Sequence, residues 1–185
     1  MRVAGGKVKG HRLKVPKIRD VRPTQESIRA AIFNILGDLV ENKKVLDLYA
    51  GSGSLGIEAL SRGAKEAIFI ESNRHGCKVI KENLAHAKIS PKGKVICRDV
   101  KQALLELPDN DIELVFLDPP YSIGKLDYIF RVLVPHLRRG AIVVYEHSKS
   151  TEAPSVPELR IFDRRAYGGT KITFLTHTQA RMGEG

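Results

Sequence analysis

The chain has no tryptophan, two cysteines and only 6% aromatic residues in 185. Cys77 and Cys97 stand 20 positions apart, too few and too isolated for a disulfide framework or a metal site. Six scattered histidines show no ligand spacing, so no metal is expected. No apolar run approaches the length that spans a bilayer, and Met1–Gly6 has no signal-like apolar core. A reducing, cytoplasmic setting and a monomer follow as expectations. Acidic residues are also scarce, 21 against 31 lysines and arginines. The imbalance is concentrated at the start. Residues 1–22 carry eight basic side chains and one acid, Asp20. Such a segment suits phosphate neutralisation, although a solvated basic face is the plainer alternative.

What is present divides into an opening segment, a core and a tail. Residues 1–22 read as a basic extension, with Arg2–Gly5 and Arg12–Val15 as the strands of a short hairpin. Residues 23–179 form one domain, and residues 180–185 a disordered tail. Thr24 is placed to cap a helix whose apolar face is Ile28, Ala31, Ile32, Ile35, Leu36 and Leu39. From Lys44 the pattern alternates. Strands are predicted at 45–49, 67–71, 95–97, 112–117 and 141–145, and helices at 54–61, 74–87, 100–107 and 126–137. Segments 160–164 and 171–176 flank Tyr167-Gly168-Gly169-Thr170 as a hairpin. The rhythm predicts an α/β fold, a doubly wound and mostly parallel seven-stranded sheet ending in an antiparallel hairpin.

The chemistry concentrates after two strands. Asp118-Pro119-Pro120-Tyr121 closes the apolar run 112–117. A carboxylate and a prolyl-flanked carbonyl are suited to accept both hydrogens of a base's exocyclic amine, while an aromatic ring stacks on the base. The plain alternative is a Pro-Pro turn with a local cap. After the first core strand, Gly51, Gly53 and Gly56 match G-x-G-x-x-G in a strand–loop–helix context, and Glu71 ends the next strand. That pattern alone fits a dinucleotide equally well. Asp47, four residues before Gly51, would repel a pyrophosphate and attract a cation such as S-adenosylmethionine. Hydride transfer has no use for the amine-holding tetrad.

These segments resemble the class I S-adenosylmethionine-dependent methyltransferases, and among them the RsmD family of 16S ribosomal RNA guanine-N2 methyltransferases. The resemblance covers nearly the whole chain: Val3–Gly10, Arg22-Pro23-Thr24 with Arg29 and Phe33-Asn34, Asp47 to Ala64, the Asp118 tetrad, and Tyr167–Thr170. One departure is Ala30, where the family usually carries Glu. The resemblance implies that the loop with Ala50, Gly51, Ser52, Gly53 and Gly56 binds the methionine part of the cofactor. It implies Glu71 at the ribose, with Ser72 and Asn73 starting the next helix, and Asp99 with Val100 at the adenine. Asp118 and Pro119 would hold the guanine amine, beside Pro120, with Tyr121 stacked. Arg22 and Thr24 would line the same pocket, and Lys7, Lys9, Arg12 and Lys14 would meet ribosomal RNA or an assembling small subunit. The alternatives are an adenine-N6 DNA methyltransferase, for which the chain has no added target-recognition region, and a non-catalytic nucleic-acid-binding module.

Overall fold

The computed structural model describes residues 1–16, 26–120 and 126–178. Seven strands form one sheet: β1 (Lys44–Leu48), β2 (Glu66–Glu71), β3 (Gly93–Cys97), β4 (Ile112–Leu117), β5 (Leu137–Ser148), β6 (Leu159–Tyr167) and β7 (Thr170–His177). Their order is β3-β2-β1-β4-β5-β7-β6. The first five run parallel, and β7 lies antiparallel to both β5 and β6. The predicted doubly wound sheet with a terminal hairpin is therefore the observed one.

Among the described residues five α-helices cover the sheet: α1 (Glu26–Leu36), α2 (Ser54–Ser61), α3 (Arg74–His86), α4 (Val100–Leu104) and α5 (Asp127–Leu133). Alternation along the strands divides their side chains between two cores. On one face Phe69, Phe116, Val144 and Phe174 pack against α1, α2 and α3. On the other, Ile68, Val115, Val143 and Leu175 pack against α4 and α5. The central strands are buried on both faces, which is why they read as unbroken apolar runs. Among the described residues no helix is long and apolar enough to cross a membrane.

Two expectations need correction. Leu39, assigned to the apolar face of the first helix, is 54% exposed. The α-helix stops at Leu36, and a 3-10 turn over Gly37–Val40 rotates Leu39 outward while burying Val40. The cysteines are not isolated. Cys77 in the first turn of α3 is disulfide-bonded to Cys97 at the end of β3, with their Cα atoms 5.9 Å apart. Parallel pairing sets Cys97 beside Glu71, and α3 begins just after that residue, so the fold closes a separation that looked large along the chain. The bond removes the cysteine argument for a reducing compartment.

The opening segment is a hairpin bridged at Arg2 and Arg12, with Val3 and Leu13 buried against the first core. It is fastened to α2 and α3. Glu58 Oε2 accepts from the Ala4 amide at 2.7 Å, and Ser61 accepts from Lys7 N through its carbonyl and from Val8 N through its hydroxyl. Asn83 Oδ1 accepts from Lys14 N at 2.8 Å. Beneath the hairpin, Arg29 and Glu58 form an ion pair, Nε to Oε2 3.6 Å, and both are fully buried. Arg29 also donates to the Arg2 carbonyl, and Arg62 donates to Glu58 Oε1 at 2.8 Å. Burial pushes the Arg29 pKa down, while Glu58 opposes that shift. Removing one member strands the other charge in the core. Glu58→Ala is expected to cost about 3–5 kcal/mol, whereas Arg29→Met with Glu58→Leu should cost markedly less than Glu58→Ala alone; urea unfolding measures both.

Candidate active site

Parallel pairing brings the carboxyl ends of β2, β1, β4 and β5 together along one rim, where open α/β sheets take their ligands. Asp47 pairs in register with Phe69 and Phe116, so its side chain shares their face. Continuing the alternation past β4 sets Asp118 on that same face, and Glu71 reaches it from β2. The predicted acids thus converge. Asp118 acts electrostatically on Asp47, as does Glu71. Asp118 is half-buried, Pro119 is buried and Pro120 is exposed.

The glycine loop is built around two of these acids. Asp47 Oδ2 accepts from Gly56 N at 2.9 Å, holding the first turn of α2. Glu71 Oε2 accepts from Gly51 N at 2.8 Å, and its Oε1 accepts from Asn73 N at 2.7 Å. Gly51 and Gly53 adopt left-handed φ of 56° and 75°. A side chain at Gly56 would run into the Phe69 ring and within 3.0 Å of Asp47 Oδ2. Ser52 is buried, Ala50 and Gly51 are half-buried, and the Ala50 amide donates to Ile70 O. Asp47 is 2% exposed, and burial pushes its pKa well up, with Asp118 and Glu71 adding to the shift.

The neighbouring candidates are arranged around this loop. Asn73 caps α3, its Oδ1 accepting from His75 N and Gly76 N. Ser72 beside it is exposed. Asp99 caps α4 through Lys101 N and is exposed, with Val100 buried behind it. Asp99 acts electrostatically on Tyr49, whose hydroxyl is pushed up to about 12, chiefly by burial. Tyr49 has φ of 59° and packs half-buried against the second core. Tyr121, Arg22 and Thr24 lie outside the described residues.

The basic set is split. Lys7, Lys9, Arg12 and Lys14 are all exposed on the hairpin. Lys7 docks by its backbone at the carboxyl end of α2, one eight-residue helix, roughly 12 Å, from the glycine loop. A shallow depression of about 480 Å³ lies there, between Lys7, Asn42 and Arg62, away from the strand rim. Lys14 is the member tied to the loop. Asn83, 1% exposed, donates from Nδ2 to both Lys14 O and Ser52 O, at 3.0 Å each. Sequence reasoning missed Asn83, because an amide inside an amphipathic helix carries no signal of its distant partners.

It also missed Glu146. Leu117 pairs with Tyr145, so the next step sets Glu146 level with Asp118. Glu146 also pairs with Ile172 of the first core, which fixes its face. The available signal was a charged residue ending the apolar run 141–145. Glu146 is 7% exposed, and burial, then Asp118, pushes its pKa to about 8 from the ordinary 4.5. A carboxyl raised on folding adds no penalty below its unfolded pKa and a growing one as pH climbs from about 4.5 to about 8. Glu146→Gln should therefore raise stability relative to the parent at pH 8.5 by on the order of 2–4 kcal/mol, with little of that gain at pH 4; urea unfolding at the two pH values checks it.

A family model described as Conserved hypothetical protein 95 matches residues 1–176. Ribosomal RNA small subunit methyltransferase D of Escherichia coli (strain K12) is 31% identical, over 100% of this chain and 92% of its own length. YlbH of Bacillus subtilis (strain 168), whose name gives it as a candidate rRNA methyltransferase, is 33% identical over 93% of this chain and 96% of its own. Among solved structures, yhhF of Escherichia coli, titled a candidate methyltransferase, superposes with a TM-score of 0.86 at 29% identity, covering 98% of this chain and 99% of that one. The sheet order, the rim of acids and these full-length likenesses agree, and the chain belongs to the RsmD family, with the class I methyltransferase fold.

Proposed function

We propose that this protein methylates ribosomal RNA of the small subunit, transferring the methyl group of S-adenosylmethionine to the exocyclic N2 amine of a guanine. The observation that carries the reading is the use of the glycine-loop amides. Gly51 N and Gly56 N, which a pyrophosphate would need, already donate to Glu71 and Asp47. With those amides taken a phosphate finds no free donor there, and the acid oxygens that take them offer lone pairs to a sulfonium and an ammonium. The names of full-length relatives supply the substrate class. Calorimetry with S-adenosylmethionine and with NAD tests the cofactor. Transfer to small-subunit RNA, assembling subunits and duplex DNA tests the substrate, followed by mapping of the methylated nucleotide.

When bound, the cofactor supplies a methyl group already activated on a sulfonium sulfur. The loop from Ala50 to Gly56, with Ser52 and Gly53, would cradle its methionine part, and Asp47 keeps that loop in shape. Glu71, anchored by two amides, has lone pairs left for ribose hydroxyls, with Ser72 and Asn73 alongside. Asp99 and Val100, at the mouth of β3, would border the adenine. Asp118 and the Pro119 carbonyl take the two hydrogens of the amine, localising its lone pair toward the methyl carbon. As the nitrogen becomes positive, Asp118 stabilises it and then accepts the released proton. Pro120 stiffens the turn, and Tyr121 supplies a stacking face.

Asp118→Ala should lower turnover by at least about a thousandfold while leaving S-adenosylmethionine affinity within a few-fold of the parent, read by single-turnover transfer and calorimetry. Lys7, Lys9, Arg12 and Lys14, together with Arg22 and Thr24, would grip the RNA. Changing Lys7, Lys9 and Arg12 together to Gln should weaken RNA binding and flatten the log-affinity against log-salt slope by roughly 2–3, as loss of about three phosphate contacts requires.

A further inference from the structure

Glu146 is a buried acid that the proposed transfer leaves without a task. It stands level with Asp118 on the adjacent strand, on the face that carries Asp47 and Glu71. It is 7% exposed, and its Oε2 has no hydrogen-bond partner. A buried carboxyl oxygen without a donor is costly, and a site that keeps one is shaped for a donor brought by its ligand. Cations do not fill that place among the described residues. Lys171, on the adjoining β7, pairs with His147 and so points to the opposite face, and Asp118 is the charged group that acts on Glu146.

The donor follows from the substrate's edge. Guanine presents two kinds of N–H side by side, the N2 amine and the ring N1–H. Adenine presents an amine beside a bare N1. If Asp118 and the Pro119 carbonyl hold the amine, an acceptor one strand away, roughly 4.8 Å, meets the neighbouring ring position. We propose that Glu146 accepts the N1–H of the target guanine through Oε2 and thereby selects guanine over bases with an unprotonated N1, a role that rests on the guanine-N2 reading above.

The protonation of the acid suits this role. Burial beside Asp118 keeps Glu146 largely neutral at pH 7. Under this proposal the O–H of the neutral carboxyl faces Asp118 and Oε2 faces the base. A bare N1 brings no hydrogen to Oε2 and gains a donor only if the carboxyl turns its O–H away from Asp118, which disfavours such a base. Glutamine reproduces the arrangement, its amide N–H toward Asp118 and its carbonyl toward N1–H. Leucine fills similar space with neither group.

The test uses the full chain and a small-subunit RNA ligated to carry either guanine or 2-aminopurine at the mapped position. 2-Aminopurine keeps the N2 amine and lacks the N1 hydrogen. The wild type should prefer guanine by about a hundredfold in kcat/KM, the upper range of what leaving one buried acceptor unpaired costs. Glu146→Gln should keep most of that preference, and Glu146→Leu should bring it to within roughly threefold of unity by losing guanine activity selectively. A purely structural role would slow both substrates equally in Glu146→Leu and leave the ratio untouched, which overturns the inference. So does a wild type that uses 2-aminopurine as well as guanine, a result that needs no variant to fold. A wild type that modifies no guanine at all defeats the guanine reading itself, a separate outcome seen in the mapping.

Discussion

The site depends on two carboxylates binding the amides of the glycine loop. Asp47 takes Gly56 N–H and Glu71 takes Gly51 N–H, so the loop is shaped by its own strands. This explains why the pattern of glycines is indecisive when read alone. The same spacing serves phosphates when its amides are open and a cationic ligand when acids occupy them. The left-handed φ at Gly51 and Gly53 and the close approach of Gly56 to Phe69 are the backbone cost of folding the loop onto those acids.

Helix α2 joins the two halves of the proposed reaction. Its amino end carries the loop, and its carboxyl end carries the hairpin through Glu58 and Ser61. Asn83 of α3 makes a second link, touching Ser52 of the loop and Lys14 of the hairpin at once. The basic arm is thus mounted on the element that carries the glycine loop. The buried Arg29–Glu58 pair gains little net stability from its charges, but it fixes the height and angle of the hairpin over the domain.

Much of this was legible in the sequence, for stated reasons. Ser54–Ser61 and Ile112–Leu117 have the predicted bounds, because glycines or prolines mark an end of each and apolar residues fill them. The strand predicted at 141–145 runs from Leu137 to Ser148, since polar residues that continue a strand beyond its buried centre leave no apolar signal. Leu39 and the cysteine pair failed differently. Both depend on where the chain turns in three dimensions, the first on a 3-10 turn and the second on strand order. Within the site, Asp47, Glu71 and Asp118 were readable because each ends an apolar run beside a glycine loop, a helix start or a Pro-Pro turn. Glu146 also ends such a run, but it precedes no such motif, and its position beside Asp118 appears only once β4 and β5 are paired.

The acids on the rim do not share one environment. Asp47 and Glu146 are 2% and 7% exposed, and burial raises the pKa of each, whereas Asp118 and Glu71 are less buried. A row equally open to the sulfonium would hold it most tightly before reaction, and that binding is relaxed as the methyl group leaves. For the proposed transfer the less buried Asp118 stands instead where positive charge develops on the nitrogen, so its attraction grows toward the transition state.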